Sequence, residues 1–197
     1  MDSLSVIFAS IISALGTVLA VYIKHRIDYK RKSSIENTTI SGANIYEALE
    51  FIQGETGCAR AYVFEFHNGE HFFSGRGQQK FSCTYEYVRA GVSSEAMNSQ
   101  GHRISNYNKY MHNLITEGFF NTCNINDLED QAFRSLLSRK GVMAIYNVPI
   151  KTLNGKIIGV LGIDYICKLN EFDFGAQHPD SLKFMQRQAR VISGYLI

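Results

Sequence analysis

The sequence predicts an α+β fold: a single N-terminal transmembrane helix followed by an antiparallel central sheet flanked by helices. Three observations carry this. Leu4 to Ile23 is an uncharged, largely apolar run of twenty residues. Segments rich in β-branched and aromatic residues, punctuated by Asn-Gly pairs, read as strands joined by turns. The last segment, Pro179 to Ile197, carries Leu182, Met185, Ala189, Ile192 and Leu196 at three- and four-residue steps, the spacing of one apolar helix face. With 197 residues, 45% hydrophobic and 19% charged, the chain is neither disordered nor fibrous, and the part beyond the apolar run suffices for one domain.

A helix of twenty residues spans roughly 30 Å, the hydrocarbon thickness of a bilayer. The run is followed at once by Lys24, Arg26, Lys30, Arg31 and Lys32 and preceded only by Asp2. That asymmetry is opposite to a secretory signal peptide and, by the positive-inside rule, expects Met1 outside and the body in the cytoplasm. The expected localisation is therefore the inner (cytoplasmic) membrane, single-pass. From Ser33 onward the remaining fifteen basic residues meet sixteen acidic ones, so a nucleic-acid-binding body is not expected. Four scattered cysteines, 58, 83, 123 and 167, have no CxxC pairing and read as free thiols.

The expected organisation is an anchor with a basic flank over 1–32, a connecting helix over 33–57 and a domain over 58–197. The connecting helix rests on Ile35, Gly42, Ile45, Leu49 and Ile52 at helical intervals, ending at Gly54 and Gly57. Ala59 to Phe66 reads as a strand closing on a tight turn at His67-Asn68-Gly69-Glu70, and Lys80 to Arg89 as the next strand. Ser105 to Thr116 and Asp127 to Lys140 read as helices, the second capped by Asn126-Asp127. Val142 to Lys151 and Lys156 to Ile166 form a hairpin through Thr152-Leu153-Asn154-Gly155.

The run Val148-Pro149-Ile150, then Gly155-Lys156-Ile157-Ile158-Gly159-Val160-Leu161-Gly162-Ile163-Asp164, resembles the C-terminal half of a GAF domain, and Ala59 to Phe64 resembles its first strand. The resemblance runs from about Ile35 to Ile197 and implies a GAF/PAS-like domain. Phe64-Glu65-Phe66-His67-Asn68-Gly69 with Lys80 to Glu86 is also similar to membrane-anchored GAF-like proteins of bacteriophages and their hosts. The family's ligand place, between the sheet and the elements after the second strand, implies Tyr85, Tyr87 and Arg89, with Tyr107, His112 and Phe119, as ligand-binding candidates. Tyr85 and Arg89 share one strand face by even spacing. The Asn-Lys that follows the last hairpin strand in cyclic-nucleotide-binding members is replaced by Tyr165-Ile166, and the cysteine set of free methionine sulfoxide reductases is missing its glycine motif.

Glu65, His67 and His71 are the one metal-like grouping, but no further ligand completes a recognised spacing, so no metal is expected. The adjacent Phe72-Phe73 reads first as packing between the sheet and the entry helix. No nucleophile elbow or comparable motif organises the Ser, His and Asp residues, and no enzyme is expected. The resulting reading is a membrane-tethered, cytosol-facing GAF-like sensory or small-ligand-binding module acting through protein contacts or self-association. Its expected partners are the lipid bilayer, a small-molecule ligand, a second copy of the chain and a membrane or cytosolic protein. One alternative is a scaffold for protein contacts without a ligand. The other is a phage-type holin or lysis-related protein, since Gln188-Ala189-Arg190-Val191-Ile192 loosely resembles the closing helix of the T-even holins.

Overall fold

A computed structural model describes residues 3–72, 74–168 and 179–197, except the side chains of 3–9, 11, 28–34 and 179. Its contacts divide the chain into two compact units, Met1–Ser41 and Gly42–Ile197. The first helix, α1 (Ser3–Thr56), contributes to both.

In the first unit the side chains of Ile12, Leu15, Val18, Leu19 and Val21 are all exposed. Among the described residues no helix is long and apolar enough to cross a membrane. The expected span Leu4 to Ile23 includes positions 4–9 and 11, and the basic flank includes Lys30, Arg31 and Lys32, all with side chains outside the described set.

The second unit is built on six antiparallel strands: β1 (Arg60–His71), β2 (Gly77–Val88), β3 (His102–Arg103), β4 (Phe120–Thr122), β5 (Ala144–Lys151) and β6 (Ile157–Tyr165). Their order across the sheet is β3-β2-β1-β6-β5-β4. Among the described residues three further α-helices, α2 (Asn108–Glu117), α3 (Gln131–Arg139) and α4 (Pro179–Leu196), accompany the sheet.

Each sheet face has its own core, because alternate residues of every strand project to opposite sides. On one face Ala61, Val63, Tyr146, Val148, Leu161 and Ile163 pack with Ile45, Leu49 and Ile52 of α1 and with Met185, Ala189 and Ile192 of α4. The expected apolar face of the closing helix is the one that is buried. On the other face Phe81, Ile145 and Val160 pack with Tyr110, Met111 and Leu114 of α2 and with Phe133, Leu136 and Leu137 of α3. Covered on both sides, β5 is buried from Ala144 through Ile150, which fits the absence of any charged residue before Lys151.

The β5–β6 hairpin turns at Thr152–Gly155 as expected, with the Gly155 amide donating to the Thr152 carbonyl at 2.9 Å and Gly155 at φ 79°. The expected turn at Asn68-Gly69 is instead inside β1. The strand continues because Asn68 pairs with Gln79 and His71 with Gly77, and the chain reverses between Phe72 and Arg76, with Gly75 at φ 77°. Phe72 consequently sits at the hairpin tip, 40% exposed, with the Arg76 guanidinium 6.0 Å from its ring centre, rather than between sheet and helix. Phe73 lies outside the described residues. The helix expected from Asp127 begins at Gln131, because the Asp130 carboxylate accepts from the Phe133 amide and so caps it. The segment expected to be helical from Ser105 opens as a 3-10 turn, Ile104–Tyr107, before α2.

Candidate functional site

The expected ligand residues do not converge. Between the pairs Val63–Tyr85 and Phe64–Cys83 the β1–β2 register shifts, leaving Thr84 as an extra residue in β2. A bulge of this kind reverses the in–out alternation beyond it. Phe81 and Cys83 face α2 and α3, whereas Tyr85 and Tyr87 face α1. There the Tyr85 ring packs edge-on against Tyr46, with ring centres 5.8 Å apart, and the Tyr87 hydroxyl donates to Glu50 at 3.0 Å. Arg89 is exposed and donates to the Gly57 carbonyl at 3.2 Å. Tyr107 is buried on the opposite face, His112 is exposed on α2, and Phe119 packs against Tyr146 on the α1 side. Tyr85 lies on the helix-covered face of β2, whereas Arg89, one residue beyond the end of the strand, does not join it there.

The structure instead forms a cavity on the α2–α3 face, walled by Tyr62, Phe64, Phe81, Tyr110, Phe133 and Val160 and edged by polar groups of β2, β6 and the segment after β2. Ring contacts order the wall: Phe64 lies 5.4 Å from both Tyr62 and Phe81, and Tyr110 stacks on Phe133 at 4.0 Å. The free space is about 30 Å³, room for about one water.

Four polar constructions surround it. The Arg60 guanidinium, 1% exposed, donates through Nε to both oxygens of Asp164 at 3.1 and 3.0 Å, and through its terminal nitrogens to the carbonyls of Ser93 and Lys140. One cation thus ties β1 and β6 to the loop after β2 and to the end of α3. Burial pushes the Asp164 carboxyl up, to about 6, while Arg60 pulls the other way. The second is a chain in which the Tyr62 hydroxyl donates to Asn147 Oδ1 at 3.0 Å and Asn147 Nδ2 donates to the Tyr110 hydroxyl at 2.7 Å. The third is Glu86, whose carboxylate accepts from the Ser94 hydroxyl and from the amides of Glu95 and Ala96, fixing the loop that edges the cavity. The fourth is Lys140, whose ammonium donates to the Ser99 hydroxyl and lies 5.8 Å from the centre of the Phe64 ring. Burial lowers its pKa.

Gly162 makes room for this arrangement. A Cβ there would collide with Asn147 Oδ1 and the Tyr62 ring. Gly162→Ala is expected to cost about 1–3 kcal/mol by overpacking. Gly194→Ala, at an open helical position, should be neutral or slightly stabilising. Urea unfolding of both variants measures the difference, and equal stabilities would remove the steric role assigned to Gly162.

The other sequence candidates have local roles. His67 Nε2 is 2.9 Å from the Ser82 hydroxyl. Among the described residues no group of three or more His, Cys, Asp or Glu side chains could hold a metal ion. Cys58 and Cys83 are buried, Cys123 is half-buried and Cys167 is exposed. Arg60, Asn147 and Lys140 were missed by sequence reasoning. The readable signal was the alternation Arg60, Tyr62, Phe64, Phe66, which puts three aromatics and one cation on a single strand face.

No protein-family model and no curated protein matches the chain. Solved structures do. The PixJ GAF domain of Thermosynechococcus elongatus, in its blue-light-absorbing form, matches with TM-score 0.62 at 14% identity, over 81% of this chain and 86% of that one. The GAF domain region of a Geobacter sulfurreducens protein matches with TM-score 0.57 at 12% identity, over 83% and 97%. A type II free methionine-R-sulfoxide reductase from Thermoplasma acidophilum matches with TM-score 0.52 at 9% identity, over 81% and 94%. The chain has a GAF-like fold.

Proposed function

We propose that the protein is a membrane-tethered sensory module whose GAF-like domain binds a small ligand in the cavity between the sheet and α2–α3, without transforming it. The observation that carries the reading is a cavity with an aromatic wall and a few oriented polar groups, the composition of a small-molecule site. Two of its potential reactive groups are already engaged or silenced. Both Asp164 oxygens are held by Arg60, and burial pushes the Cys83 thiol up to about 12. The small free volume favours a second reading, in which the same face is simply core and the domain works by contacting a second copy or another protein.

Tethering is supported by the uncharged Leu4 to Ile23 run and by the exposure of the described apolar side chains in the first unit, which water does not favour. The basic residues after the run support a cytoplasmic body at the inner membrane. Two measurements test the proposal. Native mass spectrometry of the full chain released from membranes is expected to show a retained small molecule, and its consistent absence would favour the contact reading. A reporter active only in the periplasm, fused after Ile197, is expected to stay silent. Activity there would reverse the topology and promote the holin-like alternative.

A further inference from the structure

From the donor and acceptor inventory of the cavity, we infer that its ligand is a small flat molecule presenting a carbonyl or carboxylate oxygen to Lys140, with the Ser99 hydroxyl occupying that oxygen's place when the cavity is closed. This rests on the ligand-binding reading above. The acceptors at the cavity are largely occupied: Asp164 by Arg60, Glu86 by one hydroxyl and two amides, and Asn147 Oδ1 by Tyr62.

The donors are not exhausted. Lys140 has three N–H groups and, among the described residues, uses one, to Ser99. The Tyr110 hydroxyl accepts from Asn147, and its own proton goes to no described residue, which also holds for the second amide proton of Asn147. A buried site with unused donors favours an occupant with acceptors, because an unmet donor away from water is costly. The aromatic wall beside Lys140 suits a flat apolar body behind that acceptor.

The free space of about one water means that such a ligand must displace something. The contact best suited to yield is Lys140 to Ser99, since Ser99 Oγ also donates to the Glu95 carbonyl at 2.6 Å and keeps that partner when Lys140 leaves. The ligand oxygen therefore exchanges with a hydroxyl at Lys140, and the loop held by Glu86 shifts to admit the ring.

Four probes sharing one ring test this by ¹⁹F NMR titration of the full chain: 4-fluorobenzoate, 4-fluorobenzamide, 4-fluorotoluene and 4-fluorobenzylamine. The benzoate or the benzamide is expected to bind roughly ten- to a hundred-fold more tightly than the toluene, the scale of a hydrogen bond from a charged donor. Which of the two leads decides between carboxylate and carbonyl. Lys140→Met is expected to bring that probe down to the toluene's affinity and leave the toluene unchanged. Ser99→Ala, which removes the competing hydroxyl, is expected to strengthen it several-fold and decides the matter if Lys140→Met fails to fold. Toluene binding as well as the acceptor probes, or the amine binding best, would overturn the acceptor inference while leaving the cavity a ligand site. Binding of no probe to either the wild type or Ser99→Ala would overturn both.

Discussion

Replacing Asp164 by Ala is expected to cost about 3–5 kcal/mol, the scale for breaking a buried ion pair from one side. For a chain of this size that is a fall in Tm of about 6–20 °C. The size follows from what remains. Arg60 is 1% exposed and cannot shed its proton, so it keeps a full charge with only the Ser93 and Lys140 carbonyls for company. Arg60→Met leaves a carboxyl that can neutralise itself by taking a proton, but it orphans those two carbonyls. The double variant Arg60→Met with Asp164→Leu is expected to cost less than the two single changes added together, because the partners are coupled. Thermal and urea unfolding of the three variants decide it. A cost below about 1 kcal/mol for Asp164→Ala, or strict additivity, would show that the pair does not organise this end of the sheet.

A second large effect concerns thiol chemistry. Burial pushes Cys58 from 9.0 to about 11 and Cys83 from 9.0 to about 12. Since the thiolate is the nucleophile, its fraction at pH 8 falls roughly a hundred-fold at Cys58 and a thousand-fold at Cys83, and steric protection adds to this. Cys83 also donates its S–H to the Tyr85 carbonyl at 3.4 Å. A disulfide reagent at pH 8, with peptide mass spectrometry to locate the adducts, is expected to modify exposed Cys167 first and half-buried Cys123 more slowly. Cys58 and Cys83 should react only after denaturation. Modification of Cys83 in the native protein at the rate of Cys167 would show that the cavity opens far more often than its packing implies.

The parts of the fold that could be read from sequence are those in which local chemistry and tertiary context agree. The β5–β6 hairpin has a turn glycine that really adopts positive φ, and the period of α4 matches the face it buries. Asn68-Gly69 has the same dipeptide chemistry as Asn154-Gly155, yet strand pairing with Gln79 and beyond overrides it. The site was less legible for a related reason. One extra residue at Thr84 exchanges the faces of Tyr85 and Tyr87 relative to Phe81, and no feature of the local sequence announces it. The Arg60–Asp164 pair joins residues 104 positions apart, which periodicity cannot connect. Lys140 stands in sequence only as the last residue of the expected helix from Asp127; its contacts with Phe64 and Ser99 appear only in the folded chain.

The two margins of the sheet bear on how this domain survives crowding. The flanking strands β3 and β4 are only two and three residues long, too short to template a foreign strand. Beyond Asn147, the last β5 residue paired with β4, comes Pro149, which has no amide proton to offer an incoming chain. Val148 to Ile150 is otherwise an apolar, β-prone stretch, the composition that nucleates fibrils once unshielded. A proline at that point works as a gatekeeper, keeping the sheet from growing sideways into its neighbours.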